Sequence, residues 1–149
     1  MLIRFWGTRG SLPAPLGNHA VRTKIYEAPL AARAIDLEGS DAVDRFIDSL
    51  PFSIAGTYGG NSSCVEIVTG GDDYVLCDMG SGLREFGNSI IAKHGPAKKN
   101  RFNVFMSHLH WDHIMGFPFF TPSYIPGNVI RIYGCHKNMR EAFERQQSN

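Results

Sequence analysis

Short apolar blocks separated by turn residues run the length of the chain, and their period changes several times. Leu2–Trp6 forms one such block, closed by Gly7-Thr8-Arg9-Gly10-Ser11 and then Pro13 and Pro15, which predicts a strand followed by irregular chain. A helical pattern spans about 20–34, with Pro29 expected to kink or split it. Val43, Phe46, Ile47 and Leu50 recur at i, i+3, i+4 and i+7, so residues 41–50 read as a helix with one apolar face, Ser40 as its N-cap and Pro51 as its stop. Cys64–Thr69 and Tyr74–Asp78 are strand-like runs joined by Gly70-Gly71-Asp72-Asp73, a hairpin signal. Both runs are apolar at nearly every position, as in a sheet covered on both faces. Leu83 to about His94 follows as a helix whose buried face is marked by Leu83, Phe86, Ile90 and Ile91, ended by Gly95-Pro96. Arg101–Met106 and Asn128–Tyr133 are further strands, and Met139–Gln146 is a last helix. This order of elements is α/β, with a helical insertion around 19–52 on a β-rich body.

Composition adds boundaries. With 149 residues, 43% of them hydrophobic and 19% charged, the chain is globular and long enough for a core without disulfides. Fifteen basic against 14 acidic side chains leave +1, too little to recruit nucleic acid or an anionic membrane by charge alone. No run approaches the roughly 20 apolar residues that span a bilayer, and the first ten residues lack a signal-peptide core. Cys64, Cys77 and Cys135 are odd in number and widely spaced, against a disulfide framework or a cysteine zinc site. A cytoplasmic, membrane-free protein is the expectation.

Candidate chemistry concentrates in Ser107-His108-Leu109-His110-Trp111-Asp112-His113, which holds three of the six histidines. Imidazoles at i and i+2 of an extended strand end project to one side, so His108 and His110 can converge on one metal ion. Asp112 and His113 fall beyond the turn and can face a second ion. Neutral imidazoles with a carboxylate suit Zn²⁺, with Mn²⁺ or Fe²⁺ open as alternatives. Two such ions would hold a hydroxide as nucleophile at neutral pH and stabilise charge on an attacked phosphoryl or acyl group. Four ligands are too few for two ions, which need about seven or eight including the hydroxide.

The histidine segment followed by Gly116 resembles the signature of the metallo-β-lactamase fold metallohydrolases. Arg4–Ser11, Tyr58–Cys64, Asp78-Met79-Gly80-Ser81-Gly82 and Met115–Phe120, in that order, resemble the branch containing ribonuclease Z, the phosphonate-pathway cyclic phosphodiesterase and related cyclic nucleotide phosphodiesterase-like proteins. The resemblance implies an αββα sandwich of two similar halves, of which residues 1–149 correspond to about the N-terminal half. It implies His108 and His110 on a first metal and Asp112 and His113 on a second, with Asp112 also catalytic, orienting the hydroxide or taking up its proton. Asp78 would lie beneath the site and fix the tautomer of a ligand histidine; as a turn or cap aspartate it would have no such role. Asn61 would border the pocket or simply form the turn, and Phe117 would line a pocket for a planar group or pack in the core.

One departure from the family is plain. Its further ligands, a downstream histidine, a bridging aspartate and a last histidine, have no counterpart after His113, where the remaining 36 residues hold His136 and no aspartate. His136 comes too early for the family's next ligand and reads as a surface or helix-start residue. Three expectations therefore stand together: a two-metal phosphodiesterase acting on a cyclic nucleotide, RNA or similar small-molecule phosphodiester; the same site hydrolysing a thioester or lactam; or an inactive metal-binding fragment that needs an absent second half or a partner. An exposed apolar sheet face would then favour homo-oligomers.

Overall fold

A computed structural model describes residues 1–148. The strands are β1 (Leu2–Gly7), β2 (Cys64–Val68), β3 (Tyr74–Cys77), β4 (Arg101–Phe105) and β5 (Val129–Tyr133), and the helices are α1 (Asn18–Ala31), α2 (Ser40–Ser49), α3 (Phe52–Ala55), α4 (Gly82–His94), α5 (Trp111–Ile114) and α6 (Met139–Gln147). Two 3₁₀ turns, Phe117–Phe119 and Thr121–Tyr124, link α5 to β5. The protein is thus mixed α/β around one five-stranded sheet of order β1-β2-β3-β4-β5. β1, β2 and β3 pair antiparallel, whereas β3, β4 and β5 run parallel, with α4 in the first parallel crossover. Among the described residues no helix is long and apolar enough to cross a membrane.

The chain divides into two compact units, Pro15–Gly59 and the remainder. Within Pro15–Gly59, α1 stays one helix through Pro29, which lies in its last turn, where the ring disturbs least of the ladder that follows. Lys24 on α1 donates to the carbonyls of Ser53, Ile54 (3.2 Å) and Gly56 (2.6 Å), satisfying acceptors that a single helical turn leaves open. Ser40 is the first helical residue of α2 and gives no side-chain cap, since Gly39 at φ 84° occupies the capping position.

In the sheet unit one face is covered by α4. Leu76, Phe102 and Val104 from the central strands meet Leu83, Phe86 and Ile90 from the helix, together with Met79, Ile114 and Phe120. Phe86 stands edge-on to Trp6, Tyr74 and Phe102, with centroids 5.6–6.1 Å apart. Glu66 is buried on this face and accepts from Trp6 Nε1 at 3.1 Å, with the Arg4 guanidinium 3.6 Å away. The three cysteines are free, and burial pushes the Cys64 thiol well above its ordinary range, which keeps it unreactive. The opposite face departs from the sequence expectation of a doubly covered sheet. Phe5, Phe105 and Tyr133 lie exposed there, although β2 and β3 are apolar at every position but Glu66.

At the far end of α4 the Tyr74 hydroxyl meets His94 Nε2 at 2.7 Å. Burial, then Lys98 and Lys93, hold the His94 pKa below its ordinary 6.5. The unfolded chain therefore binds this proton first, so the contribution of the neutral pair is complete above pH 6.5 and is lost as pH falls below it. The thermal midpoint should drop on acidification through that window, and His94→Gln should flatten the drop; an unchanged slope would detach His94 from it.

Candidate metal centre

Parallel pairing places the C-terminal ends of β3 and β4 side by side, and the chain beyond each end supplies the site. Immediately after β3, Asp78 adopts φ 64°, a left-handed conformation that aspartate tolerates better than most residues. Its nearly buried carboxylate accepts from Ser107 N (2.9 Å), Ser107 Oγ (2.9 Å), Ser63 Oγ (3.1 Å) and His113 Nδ1 (2.8 Å). Asp78 thus ties β2, β3 and the histidine segment at one point.

That bond fixes His113. With its Nδ1 proton donated to Asp78, the Nε2 lone pair faces Asp112 Oδ2 at 3.3 Å. Two lone-pair atoms at that separation repel unless a proton or a metal cation lies with them. Asp112 is 8% exposed and is held in place by Ser11 N, which donates to the same Oδ2 at 2.9 Å. Ser11 also has φ 64°, so the two non-glycine residues with positive φ among the described residues both bond to the site.

His108 is oriented through a relay. Ser107 Oγ donates to Asp78 and receives His108 Nδ1–H at 3.0 Å, which leaves His108 Nε2 as a free donor atom for a cation. The His108 ring lies 3.9 Å from that of His113 and 4.6 Å from that of His110, centroid to centroid. His110 occupies the N-cap position of α5 and is exposed. All four expected ligands and Asp78 therefore come together at one sheet end. Their chemistry suits a zinc-type ion in part: the His108 and His113 imidazoles have Nδ1 tied back, leaving Nε2 to face a ligand, and the Asp112 carboxylate is aimed at His113. Among the described residues, no three His, Cys, Asp or Glu side chains are grouped closely enough to complete a coordination shell.

Asn61 and Phe117, the two expected substrate residues, both make contacts within the protein. Asn61 Oδ1 accepts from Ser81 Oγ at 3.0 Å, and its carbonyl accepts from Thr8 N and Arg9 N, which makes it a brace between loops. Phe117 packs edge-on against Phe143 of α6, centroids 5.5 Å apart. Residues without an assigned role in the sequence reading prove structural to the site: Ser107 as relay, Ser11 as the anchor of Asp112, and Ser62, whose Oγ donates to the Asp112 carbonyl at 2.7 Å. His136, set aside as a surface residue, donates from Nε2 to the Ser107 carbonyl at 3.1 Å. No family model, curated protein or solved structure matches this chain.

Proposed function

We propose that the chain carries the N-terminal metal-binding part of a metallo-β-lactamase-type αββα hydrolase, acting on a phosphodiester such as a cyclic nucleotide or an RNA end. The observation that supports it best is the chain Asp78–His113–Asp112, in which a buried carboxylate fixes the imidazole tautomer and turns Nε2 toward a second carboxylate. His108, His110, Asp112 and His113 would hold divalent ions, zinc first and manganese or iron as alternatives. Such ions, when bound, supply Lewis acidity toward a phosphoryl oxygen and a nucleophile at neutral pH. The residues do the positioning. Asp78 sets the direction of His113 directly and that of His108 through Ser107, while the Ser11 N–H holds Asp112 where it can accept the proton of an attacking water. The near-neutral surface leaves anion recognition to this sheet end rather than to a basic patch.

A second reading, a metal-binding unit that becomes active only with a further half or partner, is favoured by the lack of three grouped donors among the described residues. Metal analysis and a substrate panel distinguish the readings. Bound zinc with turnover of bis(p-nitrophenyl) phosphate, and none of a thioester or nitrocefin, supports the phosphodiesterase. Less than one ion per chain and no turnover supports the dependent unit. Thioester or nitrocefin turnover alone would move the activity to acyl transfer.

A further inference from the structure

The ladder between β4 and β5 ends where the histidine segment begins. Phe105 lies opposite Tyr133, and Met106 N then donates to the Tyr133 carbonyl at 2.7 Å. Beyond that bond a side chain takes over: His136 Nε2 donates to the Ser107 carbonyl at 3.1 Å. A carbonyl can only accept, so the contact requires the imidazole proton on Nε2. The backbone of His136 is fixed as well, because its carbonyl accepts from Met139 N at 3.2 Å in the turn that opens α6. All three polar groups of Ser107 are thereby held. Its N–H and hydroxyl bond to Asp78 after β3, each at 2.9 Å, and its carbonyl to His136 after β5.

We infer that His136 is a positioning residue of the metal centre, which aims His108 by holding the peptide between Ser107 and His108. The inference rests on the metal reading of that site. The Ser107 carbonyl belongs to a planar unit that ends at the His108 Cα, so a bond to it sets the direction from which the His108 side chain departs. That side chain must bring Nδ1 to Ser107 Oγ, 3.0 Å away, if Nε2 is to be left for a cation. Asp78 reaches only the N–H and the hydroxyl of Ser107, both of which precede this peptide. His136 supplies the constraint on the far side, from a strand that contributes none of the expected ligands. Its Nε2 gives a proton to a carbonyl and so is not itself a ligand in this arrangement. Exposure separates aiming from support. Ser107 is exposed, so water can replace the lost donor when His136 is truncated, and folding loses little. Water does not restore the direction of His108.

Zinc titration, urea unfolding and ring-nitrogen chemical shifts of the full chain test it in the parent, His136→Ala, His136→Gln and Lys137→Ala. His136→Ala should bind zinc about tenfold more weakly, at the lower end of the range for losing an outer partner of a ligand, while its urea midpoint stays near that of the parent. His136→Gln keeps an amide N–H in place of the Nε2 donor and should recover most of the affinity. Lys137→Ala, at the exposed neighbouring position, should behave as the parent. In the metal-free parent His136 should carry its proton on Nε2 and His108 on Nδ1, and His136→Ala should leave His108 a mixture of tautomers. A parent chain that takes up no zinc would remove the metal reading, and the metal-free His108 tautomer then decides whether His136 aims that ring. An unchanged His108 tautomer in His136→Ala, equal losses of zinc affinity in the alanine and glutamine variants, a urea midpoint that falls in step with zinc affinity, or a parent His136 protonated on Nδ1 alone would overturn the proposal.

Discussion

Asp78→Ala should cost about 3–5 kcal/mol of stability, the range for removing one partner from a buried charged network. The side chain accepts from Ser63 Oγ, from Ser107 N and Oγ, and from His113 Nδ1, and only 5% of Asp78 is exposed. Truncation leaves the Ser107 N–H without its acceptor and frees the His113 ring. Alanine also inherits φ 64°, which adds about 1–2 kcal/mol that aspartate partly avoids. The tautomer of His113 is then no longer imposed, and metal affinity should fall about 10–100-fold. Asp78→Asn separates the two effects. Asparagine keeps the shape and tolerates the left-handed backbone, yet its amide cannot accept all of those donors, so it should lose about 1–3 kcal/mol while still weakening metal binding. Urea unfolding, zinc titration and nitrogen chemical shifts of the His113 ring measure the three consequences. Wild-type stability in both variants, or an unchanged His113 tautomer, would remove Asp78 from its central position.

The framework of the sheet was legible because apolar runs alternate with Gly, Pro and Asp punctuation. The expected Leu2–Trp6, Cys64–Thr69, Tyr74–Asp78 and Arg101–Met106 runs each lie within one residue of β1, β2, β3 and β4. The segment after Gly116 was not legible. Pro118 and Pro122 sit at the starts of two consecutive 3₁₀ turns, and neither shows the 3.6-residue period that marks a longer helix. Contacts at the site divide in the same way. Six consecutive residues hold the three histidines and Asp112, so their convergence followed from local geometry. The bonds that aim them did not: Ser11 to Asp112 spans 101 residues and Ser62 to the Asp112 carbonyl spans 50. His136 reaches Ser107 because β4 and β5 pair in parallel with Phe105 opposite Tyr133, a register that no local spacing encodes. A run that is apolar on both sides likewise cannot tell whether its second face is covered by another element of the chain or by another molecule.

Gly116→Ala should be as damaging as any core substitution although no unusual backbone angle is involved. Gly116 has φ −79°, where alanine is comfortable, so conformational freedom does not explain the glycine. Close approach does. A Cβ there would run into the Gly80 carbonyl oxygen and lie 3.0 Å from that of Met79. The two loops are bound reciprocally, Gly116 N donating to the Met79 carbonyl at 2.9 Å and Met79 N to the His113 carbonyl at 2.8 Å. Gly80 shows the same crowding from the other side, because its Cβ would sit 2.5 Å from the Asp112 carbonyl and 2.6 Å from Ser62 Oγ. All of these are backbone atoms or short, bonded side chains, so none can rotate away. Relief requires the Asp78–Gly82 turn to separate from the histidine segment, which breaks both backbone bonds and should cost about 3 kcal/mol or more. The same movement pulls Asp78 from His113, so zinc affinity should fall with stability. Gly10→Ala is the control: its Cβ would meet nothing within 4 Å, and it should stay within about 0.5 kcal/mol of the parent chain. Denaturant midpoints and zinc titrations of the two variants decide the matter. If Gly116→Ala unfolds like Gly10→Ala, the loops are not packed at backbone contact. If stability falls while zinc affinity holds, the histidines are positioned by something other than the Asp78 turn.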